Sequence, residues 1–575
     1  MITMAATNQT TISFREHQEE AIKEILNQME NGKKFIFLDA PVGSGKSLIN
    51  LLVAKTNSGY ITSPFVNLVN QYKNDIYGGK FNGLGKVIMG RNNYDCVYLQ
   101  EVMHIANATA DEGPCIDRDS IYFGSKGERL KHCPLADKCP YLEAKKEAMQ
   151  DNAVVSTLHY LMYGILNAIK TDDNEISFTG EDQGEYRNWT KRDVLIVDEA
   201  HNFPAYLSDF FKISITSTHK QFPGFPFGKT YDVIAKIVKG NNASVLETGR
   251  LTFAKFSEIF REYVNEIEKS YEKNSNHSQE DAVAYIKLKS AINRMLAKLD
   301  AKTEMIFIFD ESMKELTWKP LSVKDFAADI FAKFEHVIFS SATFLDYDLY
   351  NMELGIEKQE YSVVKVDDTF PPENAPIILN FSYWLNWQNK SEVIPRMAQS
   401  IERISTRHEG ERGIVHCHSY DIQQRFVHNT FQENDRSIKS YTSSGRNEVI
   451  DLWQYSKEDT ILFSVNMTEG LDFKDDLARW QVIAKCPYPN RNDPWIAAKI
   501  EKLGQYGERW YQMLALVSIL QATGRIMRSK MDYGTTYILD ANASNLLMKF
   551  NKILPDWAKK RLDEGYLISK KGGIF

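Results

Sequence analysis

The densest chemistry in the chain lies at Ala40-Pro41-Val42-Gly43-Ser44-Gly45-Lys46-Ser47, between an apolar run, Phe35 to Leu38, and a helix-like segment, Leu48 to Ala54. A strand that delivers the chain to such a loop lets Gly43 and Gly45 take backbone angles that a side chain would forbid. Successive N–H groups, that of Ser44 among them, then point inward at the β- and γ-phosphates of ATP. Lys46 supplies positive charge and Ser47 a hydroxyl for Mg²⁺. Ala40 stands where the usual pattern opens with glycine, a small departure because the close approach depends on the later glycines.

Asp198-Glu199-Ala200-His201 closes the apolar run Val194 to Val197, which puts two acids at the C-terminal edge of a buried parallel strand, where α/β sheets hold ligands. Asp198 is expected to reach Mg²⁺ through water and Glu199 to polarise the water that attacks the γ-phosphate. Alone, an Asp-Glu pair also reads as the start of a helix; the phosphate loop upstream favours the catalytic reading. Near the other end, Gln521-Ala522-Thr523-Gly524-Arg525-Ile526-Met527-Arg528 puts Arg525 and Arg528 three apart on one helical face, where two guanidiniums can enter a phosphate site. A solvated basic face is the plainer reading of that peptide by itself. ATP would sit between a first lobe carrying the loop and a second carrying the arginines, so that hydrolysis drives their opening and closing.

Four of the six cysteines fall in one segment with the spacing Cys96-x18-Cys115-x17-Cys133-x5-Cys139. In a reducing compartment such a group holds a metal rather than disulfides. It has no C-x2-C pair, so it fits a zinc ribbon poorly and suits a [4Fe–4S] cluster; zinc is the alternative. His132 reads as a surface residue, and Cys417 and Cys486, isolated in apolar runs, read as core.

Positioning these residues takes more than one core, because at about 150 residues per domain the 575-residue chain holds three or four units. Apolar β-rich runs at 34–38, 59–62, 86–89, 153–156, 194–197 and 337–339 alternate with helical patterns, the mark of a parallel sheet with crossovers. A second series follows at 413–416, 460–463, 480–485 and 535–539. The fold class is therefore α/β, with two parallel-sheet lobes. Two interruptions of the first lobe, roughly 90–146 and 203–315, are too long for loops and must fold as inserted modules, the second mainly helical. The expected division is a first lobe of 1–89, 147–202 and 316–345, a cysteine module of 90–146, a helical module of 203–315 and a second lobe of 346–575. With 43% hydrophobic and 25% charged residues the composition is that of a soluble globular protein. No run of about 18 apolar residues could span a bilayer, and the polar start lacks the parts of a signal peptide, so a cytoplasmic location and no membrane partner are expected. A net charge of −7 argues against coating nucleic acid by bulk charge but not against a local basic channel.

With these motifs in collinear order the chain resembles helicase superfamily 2, and more narrowly the XPD/DinG family of iron–sulfur helicases. Phe14-Arg15-Glu16-His17-Gln18 is similar to the adenine-side element, with Gln18 as the implied base contact beside Arg15. Thr62-Ser63-Pro64 with Leu68 and Gln71 resembles the next motif, which implies strand contact at Thr62. Gly90-Arg91-Asn92-Asn93-Tyr94-Asp95-Cys96 and Cys139-Pro140-Tyr141 resemble the borders of the cluster domain, although the middle cysteines are more widely spaced than usual, which puts Cys115 most in doubt. Ser340-Ser341-Ala342-Thr343 is similar to the S-A-T motif that couples hydrolysis to movement, through Ser341 and Thr343. Ser419-Tyr420 and Glu469-Gly470-Leu471-Asp472-Phe473 match further motifs, the first implying a coupling or DNA-contact role and the second placing Glu469 and Asp472 at the nucleotide.

The resemblance implies RecA-like lobes, with 203–315 as an arch domain and Trp318 with Pro320-Leu321 as the return into the first lobe. Arch and cluster domains together would form a hole for single-stranded DNA. Tyr94, Tyr263 and Tyr271 could stack on bases there, although aromatics at helical spacing read more readily as core. The implied activity is an ATP-dependent DNA helicase translocating 5′→3′ on single strands, acting on forked DNA as a monomer. Two rivals stay open: a DNA-stimulated ATPase that remodels nucleoprotein or RNA–DNA hybrids, and an ATP-switched DNA-binding module.

Overall fold

The structure is a computed structural model that describes residues 15–113, 115, 122–123, 129–130, 132–162, 191–217, 221–240, 244–273, 279–300, 303–310, 314–368, 370–430, 438–440, 448–449, 452–453, 455–456, 459–465, 475–527 and 532–570. Numbering strands along the chain, the first lobe is built on β1 (Phe35–Asp39), β2 (Gly59–Ser63), β3 (Lys86–Ile88), β6 (Ala153–Thr157), β7 (Val194–Asp198), β11 (His336–Ser341) and β12 (Tyr361–Lys365). They form a seven-stranded sheet in the order β12-β1-β11-β7-β2-β6-β3, paired in parallel throughout. Successive residues point to opposite faces, so each strand feeds two cores. Phe35 and Phe37 pack with Leu195, Val197 and Phe339 on one side, and Ile36 and Leu38 with Ile196 and Ile338 on the other. Burial on both faces explains why these strands read as continuous apolar runs.

The second lobe carries β13 (Ile377–Tyr383), β14 (Gly413–His416), β15 (Ile438–Ser440), β16 (Ile461–Ser464), β17 (Trp480–Ile483) and β18 (Thr535–Asp540), in the order β13-β18-β17-β14-β16-β15. This sheet is also parallel.

Two expected borders move. β12 pairs along its whole length with β1, Phe35 against Tyr361 through Asp39 against Lys365, so the first lobe runs on past residue 345. An edge strand with three half-buried residues has too little apolar pattern to stand out in sequence. The module expected at 203–315 contains helices Phe227–Gly240, Val245–Lys273 and Gln279–Leu299, but also an antiparallel sheet of β8 (Ile213–Thr216), β9 (Met305–Asp310) and β10 (Glu315–Pro320). Trp318 on β10 is not a return into the first lobe. It is fully buried, stacks on Phe256 at 4.5 Å and donates Nε1 to Thr252 Oγ1 at 3.1 Å, so it is the centre of the inserted module. Tyr263 is core as well, buried with its hydroxyl on the Pro223 carbonyl at 2.8 Å, and Tyr271 lies flat against Tyr285.

Between β3 and β6 the described part of the cysteine module has short elements only: turns at Arg91–Asn93, Tyr98–Val102 and Ala136–Lys138, a hairpin of β4 (Tyr122–Phe123) and β5 (Arg129–Leu130), and the helix Pro140–Gln150.

The lobes and the inserted module meet at helix Pro494–Leu503 of the second lobe. Lys499, 4% exposed, donates to the Leu321 carbonyl at 2.8 Å and pairs with Glu353 at 2.6 Å. Trp495 Nε1 donates to the Pro320 carbonyl at 2.9 Å, and Trp510 Nε1 to the second oxygen of Glu353 at 3.2 Å.

Candidate nucleotide site and cysteine cluster

β1 ends at Asp39 and the helix Lys46–Asn57 begins six residues after Ala40, leaving a loop whose Gly43 and Gly45 have φ of 81° and 88°. Gly45 is fixed twice over, because a Cβ there would also lie 2.1 Å from the Gln18 amide nitrogen. Gln18 Nε2 donates to the Ser44 carbonyl at 3.0 Å and Arg15 Nη1 to the Gly43 carbonyl at 3.2 Å, so both residues expected beside the nucleotide brace the loop itself. The Ser44 hydroxyl closes the turn onto the Pro41 carbonyl at 2.7 Å. Lys46 Nζ lies within the loop, donating to the carbonyls of Ala40 at 3.1 Å and Pro41 at 3.4 Å.

Asp198 ends β7 across the sheet. The Tyr72 hydroxyl donates to its Oδ2 at 3.0 Å and also interacts with Ser47, so one tyrosine joins the two groups expected to serve Mg²⁺. These oxygen donors fit that cation, since a hard ion takes carboxylate and hydroxyl oxygens. Burial first, then the neighbouring Glu199, pushes the Asp198 carboxyl up to about 6, an acid that gains from a nearby cation. Glu199 follows with φ of 51°, which turns the chain sharply off the strand. Burial alone would raise its pKa. His201, Lys46 and Arg525, together with Gln521, more than offset this and hold it below the ordinary carboxylate value. His201 is held below its usual value by burial, partly opposed by Glu199.

A chain of polar contacts leaves this cluster for the second lobe. His201 Nδ1 meets Ser341 Oγ at 2.8 Å, Ser341 Oγ lies 3.4 Å from Thr343 Oγ1, and Gln521 Nε2 donates to Thr343 Oγ1 at 3.0 Å. Gln521 stands near the end of helix Gly507–Thr523, and Arg525 follows just beyond it, close enough to act on Glu199 and His201. A Cβ on Gly524 would come within 3.2 Å of Val42 Cγ2, so this turn touches the phosphate loop directly. Arg528, Glu469 and Asp472 lie outside the described residues.

The fold also places Thr62 and Ser419-Tyr420. Thr62 is fully buried inside β2 and does not present its hydroxyl at the surface; the exposed positions just after that strand are Phe65, Val66 and Asn67. Ser419 caps the helix Tyr420–Asn429, accepting from the Ile422 N–H at 3.4 Å, while Tyr420 is exposed.

Sequence reasoning passed over Tyr72 and Gln481. Gln481 sits in the buried strand β17, donates Nε2 to the Ala522 carbonyl at 3.0 Å and to Thr536 Oγ1 at 2.8 Å, and accepts at Oε1 opposite His416 Nε2 at 3.1 Å. It thereby holds the peptide that carries Gln521 and Arg525. A glutamine within Trp480-Gln481-Val482-Ile483 was the available signal, because a polar side chain in a buried strand needs partners.

Among the cysteines, Cys96 is buried, and Cys115 and Cys133 pack in the same small cluster. A Cβ on Gly113 would lie 3.2 Å from Cys96 Sγ and 3.5 Å from Cys115 Sγ, so these two thiols share a cradle that any side chain would fill. Burial, and then the other cysteines, push the thiols of Cys96 and Cys133 up to about 11; Cys115 and Cys139 act on both. Arg91 Nη1 donates to Cys115 Sγ at 3.0 Å, its guanidinium 4.6 Å from the Tyr141 ring centre. Among the described residues no three His, Cys, Asp or Glu side chains surround a point where a single metal ion could sit. Cys417 and Cys486 are buried core, as expected.

Two family models match parts of the chain: "Helicase C-terminal domain" over residues 401–561 and "Type III restriction enzyme, res subunit" over residues 11–112. The protein named ATP-dependent DNA helicase YoaA, from Haemophilus influenzae, is 22% identical over 92% of this chain and 91% of its own length. Human Regulator of telomere elongation helicase 1 is 35% identical over 85 residues, 13% of this chain and 7% of that protein. The solved structure of S. tokodaii Xpd4 superposes with a TM-score of 0.56 at 15% identity, covering 95% of this chain and 99% of that one, which shows a shared fold. With the phosphate loop, the Asp198-Glu199 pair and Gln521-Arg525 gathered between two parallel-sheet lobes, the chain is similar to the XPD/DinG-like helicases of superfamily 2, whose named relatives are ATP-dependent enzymes.

Proposed function

We propose that the chain is a DNA helicase that translocates along single-stranded DNA, with 5′→3′ polarity, and couples ATP hydrolysis between its lobes to duplex unwinding. The observation that carries the coupling is the contact chain from Glu199 and His201 through Ser341 and Thr343 to Gln521, while the polarity is what the resemblance implies. It joins the group that activates water to the lobe that must move. In this reading Lys46 exchanges the carbonyls of Ala40 and Pro41 for phosphate oxygens. Glu199, ionised at neutral pH, accepts the proton of the water whose oxygen attacks the γ-phosphorus, and the bond to the ADP oxygen breaks. Arg525 and Arg528 offset the charge that develops on the transferring group. Mg²⁺, served by Ser47 and Asp198, would neutralise phosphate charge. Loss of the γ-phosphate removes what Arg525 is drawn to, and the lobes part.

The same reading assigns Cys96, Cys115, Cys133 and Cys139 to a [4Fe–4S] cluster. The shared cradle at Gly113 supports it, as does the packing of Cys133 in the same small cluster. The cluster's part is structural: bound thiolates fold a module too small to hold itself by apolar burial. The curated relative named a DNA helicase across its length supports DNA as the track.

Strand displacement on forked duplexes with a single 5′ or 3′ tail tests the proposal. Displacement confined to the 5′-tailed fork is expected. ATP turnover that rises with single-stranded DNA while neither fork is opened would replace unwinding by nucleoprotein remodelling.

A further inference from the structure

The loop after β13, Trp384 to Asn389, holds two large aromatic rings out in water. Trp318, Trp453 and Trp480 are fully buried, whereas Trp384 is 52% and Trp387 80% exposed. The loop beneath them is tied down. Asn386 Oδ1 accepts from the N–H groups of Gln388 at 2.9 Å and Asn389 at 3.0 Å, and Asn389 Oδ1 accepts in return from the Asn386 N–H at 2.9 Å. Asn389 Nδ2 donates to the Trp384 carbonyl at 2.6 Å. Leu385, between the two rings, is buried in the core of the lobe. The rings are therefore displayed on a braced support, which keeps the ordering cost of binding low.

The position of the loop is as telling as its shape. β13 and β14 run in the same direction through β18 and β17, so the loop and Ser419-Tyr420 leave the sheet at one C-terminal edge, where α/β sheets bind ligands. Lys390 joins them, its ammonium 3.4 Å from the Trp387 ring centre and 2.7 Å from Asp421 Oδ2 at the start of the Tyr420–Asn429 helix. Two indoles are far too small a patch for a stable protein interface, which buries on the order of 1,000 Å² or more. Lys390 is buried and held by Asp421, so it fixes the Trp387 ring in place, and a fixed, exposed aromatic face is what an unpaired strand uses to stack a base.

We infer that Trp384 and Trp387 form a base-stacking platform for single-stranded nucleic acid on the rim of the second lobe. The inference rests on the DNA-translocating function proposed above and names where the track is gripped. Lys390 covers one side of the Trp387 ring, and a base takes the other. Stacking on an indole is indifferent to sequence, as a translocating enzyme requires.

The test compares the full chain with Trp384→Ala/Trp387→Ala and Trp387→Phe, using oligothymidylate as the probe. The double variant is expected to bind about 5- to 100-fold more weakly by fluorescence anisotropy, and the DNA concentration that half-saturates ATP turnover should rise by a like factor with maximal turnover kept. Trp387→Phe, which keeps an aromatic face, should retain most of the affinity, and DNA should quench the indole fluorescence of the unmodified protein. A double variant that melts like the parent and binds oligothymidylate equally well overturns the platform while leaving the helicase reading intact. A parent chain that does not bind the oligonucleotide overturns that reading itself. A change in sedimenting mass with DNA affinity unaltered makes the patch a protein contact and also overturns the inference. Should the double variant lose stability, Trp387→Phe and the quench decide: no quench on saturation refutes stacking.

Discussion

Replacing Thr343 by valine removes one hydroxyl and almost no volume. Thr343 is 2% exposed, and its Oγ1 accepts from Gln521 Nε2 at 3.0 Å across the interlobe boundary. With valine there, the half-buried Gln521 amide keeps Glu199 but loses its Thr343 acceptor while the lobes are closed. The loss of one ordinary hydrogen bond, about 0.5–1.5 kcal/mol, therefore falls on the closed state alone. That corresponds to roughly a 2- to 13-fold smaller closed population. DNA-stimulated ATP turnover and strand displacement should fall together by a factor in that range. Nucleotide affinity measured in the absence of DNA should change little, because the phosphate loop contacts stay in place. Thr343→Ser restores the acceptor and should restore turnover. Thr343→Val turnover within about twofold of the parent would show that the bond contributes less than a single ordinary hydrogen bond, and the coupling argument would fail.

Lys46→Ala should lower ATP turnover by about 10²-fold or more, since it removes a charge from the transferring phosphate; steady-state kinetics showing a loss under about threefold would refute that role. Arg525→Lys keeps the charge but loses the bidentate fork, so turnover should drop while the melting temperature holds; a large fall in melting temperature with turnover per folded molecule intact would make the residue structural. Cys139→Ser should bleach the brown chromophore of anaerobically purified protein and cost unwinding far more than ATP hydrolysis. Stoichiometric zinc without iron in the parent would overturn the cluster, and full unwinding by the variant would overturn its role.

The sheets were legible where strands are buried on both faces, because Val194 to Val197 and Phe35 to Leu38 admit no polar residue. β12 and β13 were missed, the first with three half-buried residues and the second with a half-exposed end that breaks the pattern. Trp318 was misplaced for a different reason: a buried tryptophan looks alike in either neighbouring domain, and only its pairing partners decide. Lys46, Asp198, Glu199, Gln521 and Arg525, singled out by motif spacing, lie together in the structure. Tyr72 could not be found that way, since a tyrosine on an amphipathic helix carries no sign that its hydroxyl will meet Asp198. Thr62 lies sealed in the sheet because β2 is covered on both faces, which a motif match does not reveal.

The contact at Lys499 bears on how force travels. Its ammonium, sealed between two tryptophans, is bound at once to Glu353 of the first lobe and to the Leu321 carbonyl at the foot of the inserted module. Parting the lobes here would break the ion pair and the carbonyl contact together, and deleting Glu353 alone would strand a buried ammonium at a cost on the order of 3–5 kcal/mol. The second lobe cannot swing away from this corner cheaply, but it can rotate about it. In the proposed cycle this corner is expected to act as a fulcrum, with the ATP cleft and the inserted module moving about it.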